Sequence, residues 1–479
     1  MSVRVRFAPS PTGYLHIGGA RTALYNYLYA KANNGTFVFR VEDTDLERSK
    51  KEYEVSQLQD LRWLGIDYDE GPEKPGEYGP YRQSERTHIY EEYAKKLVDD
   101  GLAYYDFCTD EELEAMKERA MKEGRPPHYE GKWRNSEYFE EAANKLAAGE
   151  KGAIRFKAPK KSYVVNDEVR GRVVFPENMV GDFVIIRSNG LPVYNFCCVI
   201  DDMLMKITYV IRGEEHLNNS VRQLMIYEAL GGTPPAFAHV SLLINKDRQK
   251  LSKRDGVTSV TKYKEESYLP EALINYLCLL GWSHPDEKEI FAIDDIGPAF
   301  DAKRFAKSAA IYDLEKLKWV NGMHLRALPP AQLRTKIEEF VDKDHFYFSQ
   351  ADTWKEAAIE LLKNQIEFFS DFQARLDSDL LNVEVNRSEK LENVLSWDTT
   401  KSIISFLKDK LAGIDDTFIS KDKFQEVFKS LKTELELKGK PLFMGTRVCL
   451  TGQDHGPELG DLVPLIPLKI IKERLNHLS

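Results

Sequence analysis

The sequence predicts a doubly wound α/β domain with a parallel sheet, interrupted by an α+β insertion and followed by an all-α region. Strand and helix patterns alternate over residues 1–82 and return over residues 194–245. Residues 83–193 break this alternation with a charged helical segment and a strand-rich segment. Beyond residue 325, apolar side chains recur at three- and four-residue spacing, which is typical of packed helices.

The first half of the α/β domain begins with a strand, a rigid loop and a helix. Residues 3–7 alternate apolar and charged side chains, as a short strand does. The loop over 8–13 contains two prolines that fix the backbone, and a helical pattern begins at Ile17. A strand over 37–41 and an amphipathic helix over 49–64 follow.

The insertion is expected to contain a helix over 110–122 and strands within 153–175. The α/β pattern then resumes over 194–200 and 207–211, with a helix over 220–230 and a strand near residue 240. We therefore divide the first part of the chain into an α/β domain over 1–82 and 194–245 and an insertion over 83–193.

The C-terminal half is expected to be helical. A buried strand over 242–244 precedes a charged loop, and residues 246–325 form a helical domain that carries this loop. Two further helical domains span 326–376 and 377–479, with helices over 354–376, 399–411 and 420–435.

Composition limits the function classes. The chain has 479 residues, enough for about three to five domains, and its net charge of −10 argues against a general DNA-coating protein. RNA binding stays possible because it depends on local patches. Five cysteines without C-x-x-C spacing, no leader and no long apolar run predict a cytoplasmic protein with reduced thiols.

Two motifs together predict an ATP site. Residues 16–19 (His-Ile-Gly-Gly) open a helix whose N-terminal amides suit a phosphate, and His16 can donate to a phosphoryl oxygen. Residues 250–254 (Lys-Leu-Ser-Lys-Arg) place Lys250 and Lys253 where they can flank a triphosphate. Each motif alone also fits a bland alternative: a surface turn histidine, or a solvated charged loop.

These segments resemble class I aminoacyl-tRNA synthetases of the glutamyl type. The resemblance rests on APSPTGYLHIGGARTAL, RVEDTD, GPYRQSER, VIDD, VIRGEEH and KLSKR, and it runs from about residue 3 to about residue 325, then weakly to the C-terminus. It implies that residues 16–19 stand at the family's "HIGH" position and residues 250–254 at its "KMSKS" position. Gly19 replaces the last histidine, which gives His16 and the two lysines more of the phosphate chemistry.

A glutamate pocket can be assigned from residue chemistry. Arginine forks bind carboxylates, which favours Arg6 on the first strand and Arg212 at the end of a later strand, while Glu42 suits the α-ammonium. The resemblance implies the same pocket, and the predicted glutamate-binding residues are Arg6, Ala8, Ser10, Glu42, Tyr194 and Arg212. The alternatives are surface salt bridges for the arginines and a helix N-cap for Ser10.

The expected reaction is ATP-dependent activation of glutamate followed by transfer to tRNA(Glu). His16, Lys250 and Lys253 are the predicted catalytic residues, and Mg²⁺ is expected to travel with ATP. The predicted ATP-binding residues are Thr12, His16, Gly18, Gly19, Glu215, His216, Leu243, Lys250 and Lys253. By resemblance, a terminal 2′-hydroxyl of tRNA attacks the adenylate.

No structural zinc is predicted. Some glutamyl enzymes hold zinc in the insertion, but here only Cys108 remains, and Trp133 stands where a thiolate would be needed. His128 and Tyr129 are then expected to belong to an ordinary turn.

tRNA contacts are expected over a wide surface of a monomeric protein, and the helical domains over 326–376 and 377–479 are expected to read the anticodon bases. The predicted basic contacts are Lys157, Lys160, Lys161, Arg170 and Arg172 for the acceptor end, and Lys303, Arg304 and Lys307 for the stem. Gln365 stands near a position where enzymes restricted to tRNA(Glu) often have arginine, so the chain is hypothesised to charge tRNA(Gln) as well.

Two other functions remain alternatives. A glutaminyl-tRNA synthetase would have Glu where Ser10 stands and a β-barrel tail in place of helices. A tRNA-binding paralogue without catalysis would be expected to lose His16 or Lys253, and both are present.

Overall fold

The computed structural model describes residues 2–249, 251, 259–385 and 388–478. The chain forms two compact units, Met1–Leu317 and Lys318–Ser479. Unit 1 contains all the strands of the described residues, while unit 2 is helical throughout its described part.

The core of unit 1 is built on parallel strand pairs. β1 (Arg4–Phe7) pairs with β2 (Thr36–Phe39), and β8 (Tyr209–Gly213) pairs with β9 (Ala236–Val240). β1 lies beside β8, because the Thr208 amide donates to the Arg4 carbonyl at 2.9 Å. These pairs confirm the predicted parallel α/β arrangement.

Helix α1 (Ile17–Ala32) covers this sheet. It packs against β1 and β8, and it also contacts α9 (Pro270–Leu279). The helices on the remaining chain of the α/β domain are α2 (Lys51–Trp63), α6 (Tyr194–Leu204) and α7 (Leu217–Ala229).

Residues 194–200, where the sequence predicts that the α/β pattern resumes, are helical. Tyr194 is the first residue of helix α6, which continues to Leu204. Residues 196–202 are all buried, and a buried stretch that begins with five apolar residues is compatible with a helix as well as with a strand.

The insertion contains a three-stranded antiparallel sheet and a β-hairpin. β3 (Ala103–Asp106), β4 (Ala153–Phe156) and β7 (Phe183–Ile186) form the sheet, and β5 (Tyr163–Asp167) pairs with β6 (Gly171–Phe175). β5 also pairs with β9 at Asp167 and Phe237, which joins this hairpin to the parallel sheet.

The helices of the insertion follow local signals. α4 (Asp110–Lys122) begins as predicted, with a capping box between Thr109 and Glu112. α3 (Thr87–Asp99) and α5 (Phe139–Ala147) are the other two.

The chain then crosses to the end of unit 1. β10 (Leu243–Ile244) pairs with β11 (Ala310–Ile311), which shortens the strand expected over 242–244. The intervening helices are α8 (Val260–Glu265), α9 and α10 (Ile293–Ile296), and α11 (Leu314–Arg326) follows β11.

Unit 2 contains the larger part of α11, and nine further α-helices lie wholly within its described residues. They are α12 (Pro330–Glu338), α13 (Asp352–Leu362), α14 (Asp371–Leu376), α15 (Glu389–Ser396), α16 (Asp398–Ala412), α17 (Lys421–Glu434), α18 (Gly439–Thr451), α19 (Leu459–Leu462) and α20 (Leu468–His477). The expected all-helical C-terminal region is confirmed.

The single helix predicted over 354–376 is two helices. α13 ends at Leu362, and a short turn at Lys363–Gln365 separates it from α14. The Asp371 carboxylate accepts the amides of Glu367 and Phe368 at 3.0 and 2.8 Å, so these amides leave the helical ladder.

None of the helices built from the described residues is both long enough and apolar enough to span a bilayer.

Candidate active site

A cavity of about 560 Å³ lies at the carboxyl ends of β1 and β8. All six predicted glutamate-binding residues line it: Arg6, Ala8, Ser10, Glu42, Tyr194 and Arg212. Five of the predicted ATP-binding residues also line it: His16, Gly18, Gly19, Glu215 and His216. Thr12 and Leu243 are not among the lining residues, and Lys250 and Lys253 lie outside the described residues.

His16 caps helix α1 and has a defined tautomer. Its Nδ1 accepts the Gly18 amide at 3.1 Å, so the ring proton is on Nε2 when the ring is neutral. Because Gly18 already donates to this ring, its amide is not available to a phosphate in this conformation. The expected phosphate donor at the helix entry is therefore the His16 side chain rather than the Gly18 amide.

Ser10 lies in the loop before the helix and is not an N-cap, so that alternative is wrong. Its carbonyl accepts the Thr12 amide at 2.9 Å and the Gln57 side chain at 3.4 Å. These bonds fix the backbone, and the exposed Ser10 side chain borders the cavity.

The chain that flanks the second motif returns to the first. Ser259 forms a β-bridge with His16, and the Val260 amide donates to the Leu15 carbonyl at 2.9 Å. Within the second motif, the Leu251 amide donates to the Leu243 carbonyl at 3.3 Å. The residues that follow the second motif thus contact the first motif across more than 200 residues of sequence.

Arg6 belongs to a buried network of opposite charges. Its Nε lies 3.2 Å from Asp202, which also accepts from Arg40 at 2.6 Å. Arg40 contacts Glu42 at 3.0 Å. Burial opposes the charge on Arg6, but the Asp202 carboxylate holds the pKa of Arg6 above its ordinary value. Burial raises the pKa of Glu42, although Arg40 opposes this shift.

Arg212 is stabilised by neutral acceptors. Its Nε donates to His239 Nε2 at 3.0 Å, and its Nη2 donates to Ser220 and Gln223, each at 2.8 Å. Within the described residues, no carboxylate lies within ion-pair distance of Arg212, and its buried Nη1 has no hydrogen-bond acceptor. A buried cationic donor without an acceptor favours an anionic ligand at this position.

Both arginines are buried, with 4% and 5% of Arg6 and Arg212 exposed. The alternative of ordinary surface salt bridges is therefore wrong for both.

His216 borders the cavity as a neutral ring. Its Nδ1 lies 3.3 Å from both the Tyr194 hydroxyl and the Asn219 side-chain amide. Burial, followed by the charge of Arg212, lowers the pKa of His216 to about 4. With Nδ1 accepting, the ring proton is on Nε2, so His216 is a second neutral imidazole donor.

Several lining residues were missed by the sequence reasoning. Arg187 follows β7 in the insertion and is exposed, and Tyr14 is 60% exposed at the same cavity. Asp45 and Asn219 are two more of these lining residues. Asp45 lies in the quoted RVEDTD segment and could have been included, whereas no motif marks Arg187.

The position of the family's zinc site contains an aromatic cluster. Cys108 Sγ lies 3.3 Å from the Tyr129 hydroxyl, which donates to Asp106 at 2.7 Å. Trp133 is buried in the same cluster, and the Arg155 guanidinium lies 3.8 Å from the Tyr129 ring centre. The Tyr129 side chain is thus packed against these neighbours, a role that the prediction of an ordinary turn does not include.

The parts of the chain that the structure describes contain no group of three or more His, Cys, Asp or Glu side chains placed to hold a metal ion.

Some of the basic residues expected to contact RNA are bound within the protein. Arg170 pairs with Glu214 and donates to the Lys307 carbonyl at 2.9 Å. Arg304 donates to the Ser283 carbonyl at 2.7 Å. Lys160 and Arg172 are exposed, and the RNA contacts stay predictions.

Comparisons with known proteins agree with this geometry. Residues 2–319 match the family "tRNA synthetases class I (E and Q), catalytic domain", and residues 332–478 match "Anticodon binding domain". The chain is 45% identical to a glutamate–tRNA ligase of Carboxydothermus hydrogenoformans and 44% identical to glutamate–tRNA ligase 1 of Caldicellulosiruptor saccharolyticus. Each match covers 99% of both chains.

A solved structure has the same fold over the full length. It is the glutamate tRNA ligase of Elizabethkingia meningosepticum in complex with its amino acid, with a TM-score of 0.87, 34% identity and coverage of 100% of this chain and 99% of that one. This chain belongs to the class I tRNA synthetases of the glutamyl and glutaminyl family.

Proposed function

We propose that this chain ligates L-glutamate to tRNA(Glu) through a glutamyl-adenylate formed from ATP. Full-length relatives named glutamate–tRNA ligases and the architecture of unit 1 support this function. The observation that carries the choice of substrate is the buried Nη1 of Arg212, which has no acceptor among the described residues.

The side-chain carboxylate of glutamate is proposed to bind Arg212. Glutamate has two carboxylates, and the α-carboxylate must stay reactive toward ATP. A carboxylate paired with a buried guanidinium is stabilised as the anion and is a weaker nucleophile, so the γ-carboxylate is the better partner for Arg212. A neutral glutamine amide would leave the buried charge of Arg212 uncompensated.

The α-ammonium is proposed to bind Glu42. The carboxylate of Glu42 borders the cavity and is fixed by Arg40 at 3.0 Å. Burial raises the pKa of Glu42, and an ammonium ligand would stabilise its anionic form. Arg6, Ala8, Ser10 and Tyr194 complete the proposed glutamate site.

In the first step, an oxygen of the α-carboxylate forms a bond to the α-phosphorus of ATP, and the bond to pyrophosphate breaks. The Nε2–H groups of His16 and His216 are proposed to donate to phosphoryl oxygens, and Lys250 and Lys253 are proposed to neutralise the leaving pyrophosphate. Mg²⁺ is proposed to enter with ATP, since phosphate oxygens supply many of its ligands.

In the second step, a ribose hydroxyl at the tRNA 3′ end attacks the carbonyl carbon of the adenylate, and AMP leaves. Positioning of the two reactants accounts for much of such a rate enhancement. The insertion and unit 2 are the proposed tRNA-binding regions, in line with the anticodon-binding match over residues 332–478.

Glutamate-dependent ATP–pyrophosphate exchange tests this function. Exchange is measured with and without tRNA, and with glutamine in place of glutamate. We expect exchange with glutamate in at least one condition and little with glutamine. No exchange in any condition would instead support a binding-only protein.

A broader tRNA specificity is a second proposal. Gln365 ends the turn that separates α13 from α14, where a neutral amide stands in place of the arginine of enzymes restricted to tRNA(Glu). Its Nε2 is buried and has no acceptor among the described residues. We expect glutamylation of both purified tRNA(Glu) and tRNA(Gln), and Gln365→Arg should lower charging of tRNA(Gln). Absence of product on tRNA(Gln) would reject this proposal.

The remaining predictions concern organisation. The five-part division at residues 82, 193, 245, 325 and 376 and the monomeric state are proposed for this chain. Light scattering of the purified protein tests the monomer, and a mass near 55.1 kDa is expected.

A further inference from the structure

Arg212 is connected to the inserted hairpin through two fully enclosed side chains. His239 lies on β9, and its Nε2 accepts from Arg212 Nε at 3.0 Å. Its Nδ1 lies 2.6 Å from Asp167, the last residue of β5. His239 is 0% exposed and Asp167 is 4% exposed, so solvent does not compete for these bonds.

The side-chain chemistry fixes which group donates in the hydrogen bonds from Arg212 to His239 and from His239 to Asp167. An arginine Nε can only donate, so His239 Nε2 must accept and the ring proton must be on Nδ1, where it donates to Asp167. Burial lowers the pKa of His239, which keeps the ring neutral. The Asp167 carboxylate stays charged, since the His239 hydrogen bond holds its pKa below the usual range although burial opposes this.

Asp167 also fixes the hairpin itself. Its carboxylate accepts the amides of Val169 and Arg170 at 3.0 and 2.8 Å, which close the turn between β5 and β6. It accepts the amide of His239 at 3.1 Å as well. One carboxylate therefore sets both the conformation of the hairpin turn and the tautomer of His239.

The same arrangement keeps the charge of Arg212 available. His239, Ser220 and Gln223 are all neutral acceptors, and they take up Nε and both hydrogens of Nη2. The two hydrogens of Nη1 then have one orientation, which is set by the groups behind the guanidinium. The negative charge of Asp167 acts only through the imidazole, so it orients Arg212 without neutralising it by direct contact.

We propose that His239 and Asp167 are positioning residues that aim Arg212 Nη1 at the glutamate side chain, so that the β5–β6 hairpin of the insertion sets glutamate affinity and selectivity. This inference rests on the proposed function, because it takes glutamate as the ligand of Arg212. It adds two residues that do not line the cavity and that belong to none of the quoted motifs.

The test compares His239→Leu with His239→Gln in glutamate-dependent exchange. Leucine removes the acceptor for Arg212, whereas the glutamine side-chain oxygen can replace Nε2. For His239→Leu we expect KM for glutamate to rise roughly 10- to 100-fold, with KM for ATP changed less than about twofold. His239→Gln should recover most of the glutamate affinity, and the ratio of glutamate to glutamine activity should fall only in the leucine variant.

Asp167→Asn is the second variant. It keeps the shape of the side chain, so it can still test the proposal if His239→Leu fails to fold. It should raise KM for glutamate by a smaller factor with kcat nearly unchanged. Tyr163→Phe is the matched control, since Tyr163 lies on the same strand and donates to Glu228 at 2.8 Å. It should leave KM for glutamate unchanged.

The outcomes separate the two proposals. If the unmodified protein shows no exchange, the proposed function fails before any variant is compared. If it is active but leucine and glutamine at position 239 behave alike, or KM for ATP rises in parallel with KM for glutamate, the positioning role is wrong and His239 is merely structural.

Discussion

Arg6 and Arg212 are buried in the same cavity, but their charges are treated in opposite ways. Arg6 lies against Asp202 at 3.2 Å, inside a network in which Arg40 and Glu42 are also paired. Arg212 contacts only neutral acceptors among the described residues, and its Nη1 has no acceptor there. We infer that the ion-paired network around Arg6 stabilises the fold, whereas Arg212 is placed to bind an anionic ligand.

We expect the ion-paired network around Arg6 to contribute strongly to the stability of the fold. Asp202→Asn should leave Arg6 and Arg40 without their shared carboxylate and lower the free energy of unfolding by about 3–5 kcal/mol. Chemical denaturation measures this, with Asp99→Asn on the surface of α3 as the matched control. If the free energy of unfolding fell no further than in the control variant, the network around Arg6 would not be a source of stability.

Arg212 should contribute to the affinity for glutamate and not to the stability of the fold. Arg212→Gln removes the uncompensated charge, and kcat/KM for glutamate should fall by an amount equivalent to about 2–5 kcal/mol. Its free energy of unfolding should be unchanged or higher, because a buried charge without a counter-ion is removed. Exchange kinetics and denaturation check both, with the exposed Arg119→Gln as control. A stability loss like that expected for Asp202→Asn would erase the contrast.

A carboxylate beside Arg212 would give this residue the kind of ion pair that Arg6 already has. Gln223→Glu places a carboxylate where a neutral amide now accepts from Arg212 at 2.8 Å. The new ion pair should compete with the substrate and raise KM for glutamate by roughly 10-fold, about 1.4 kcal/mol, while stability rises. Unchanged glutamate kinetics would mean that the charge of Arg212 is not reserved for the ligand.

The smallest effect concerns pH. His216 has a pKa of about 4 in the folded protein, lowered by burial and by Arg212, against about 6.5 when unfolded. The unfolded chain therefore binds more protons between these values, and stability falls as pH drops from about 6.5 to 4. His216→Asn should flatten this decline by on the order of 1 kcal/mol in denaturation curves. An identical decline in both proteins would reject the shifted pKa.

The sequence found most of the cavity because its residues follow local signals. Arg6 and Arg212 lie in recognisable strand patterns, and His16 begins a clear helical pattern. The six predicted glutamate-binding residues do line one cavity. The ATP set was less complete, since Thr12 and Leu243 do not line it. The assigned roles stay predictions until the variants are measured.

The parts that the sequence missed depend on context. In the run at 194–200 only Asn195 is polar, so periodicity could not separate a buried helix from a strand. The break between α13 and α14 depends on Asp371 capturing two amides, which a helical apolar pattern does not reveal. Tyr129 joins Cys108 and Asp106 across about twenty residues, where only a turn was expected.

By itself the sequence determined the fold class, the two motifs and the arginines of the cavity, because periodicity, turn residues and side-chain chemistry are local properties. Only the tertiary structure decided which arginine is paired and which is open. Asp202 and Asp167 lie far along the chain from the arginines they influence, and the pairing of β5 with β9 brings Asp167 to His239 across 72 positions. The availability of a buried charge depends on such neighbours, and no local pattern encodes it.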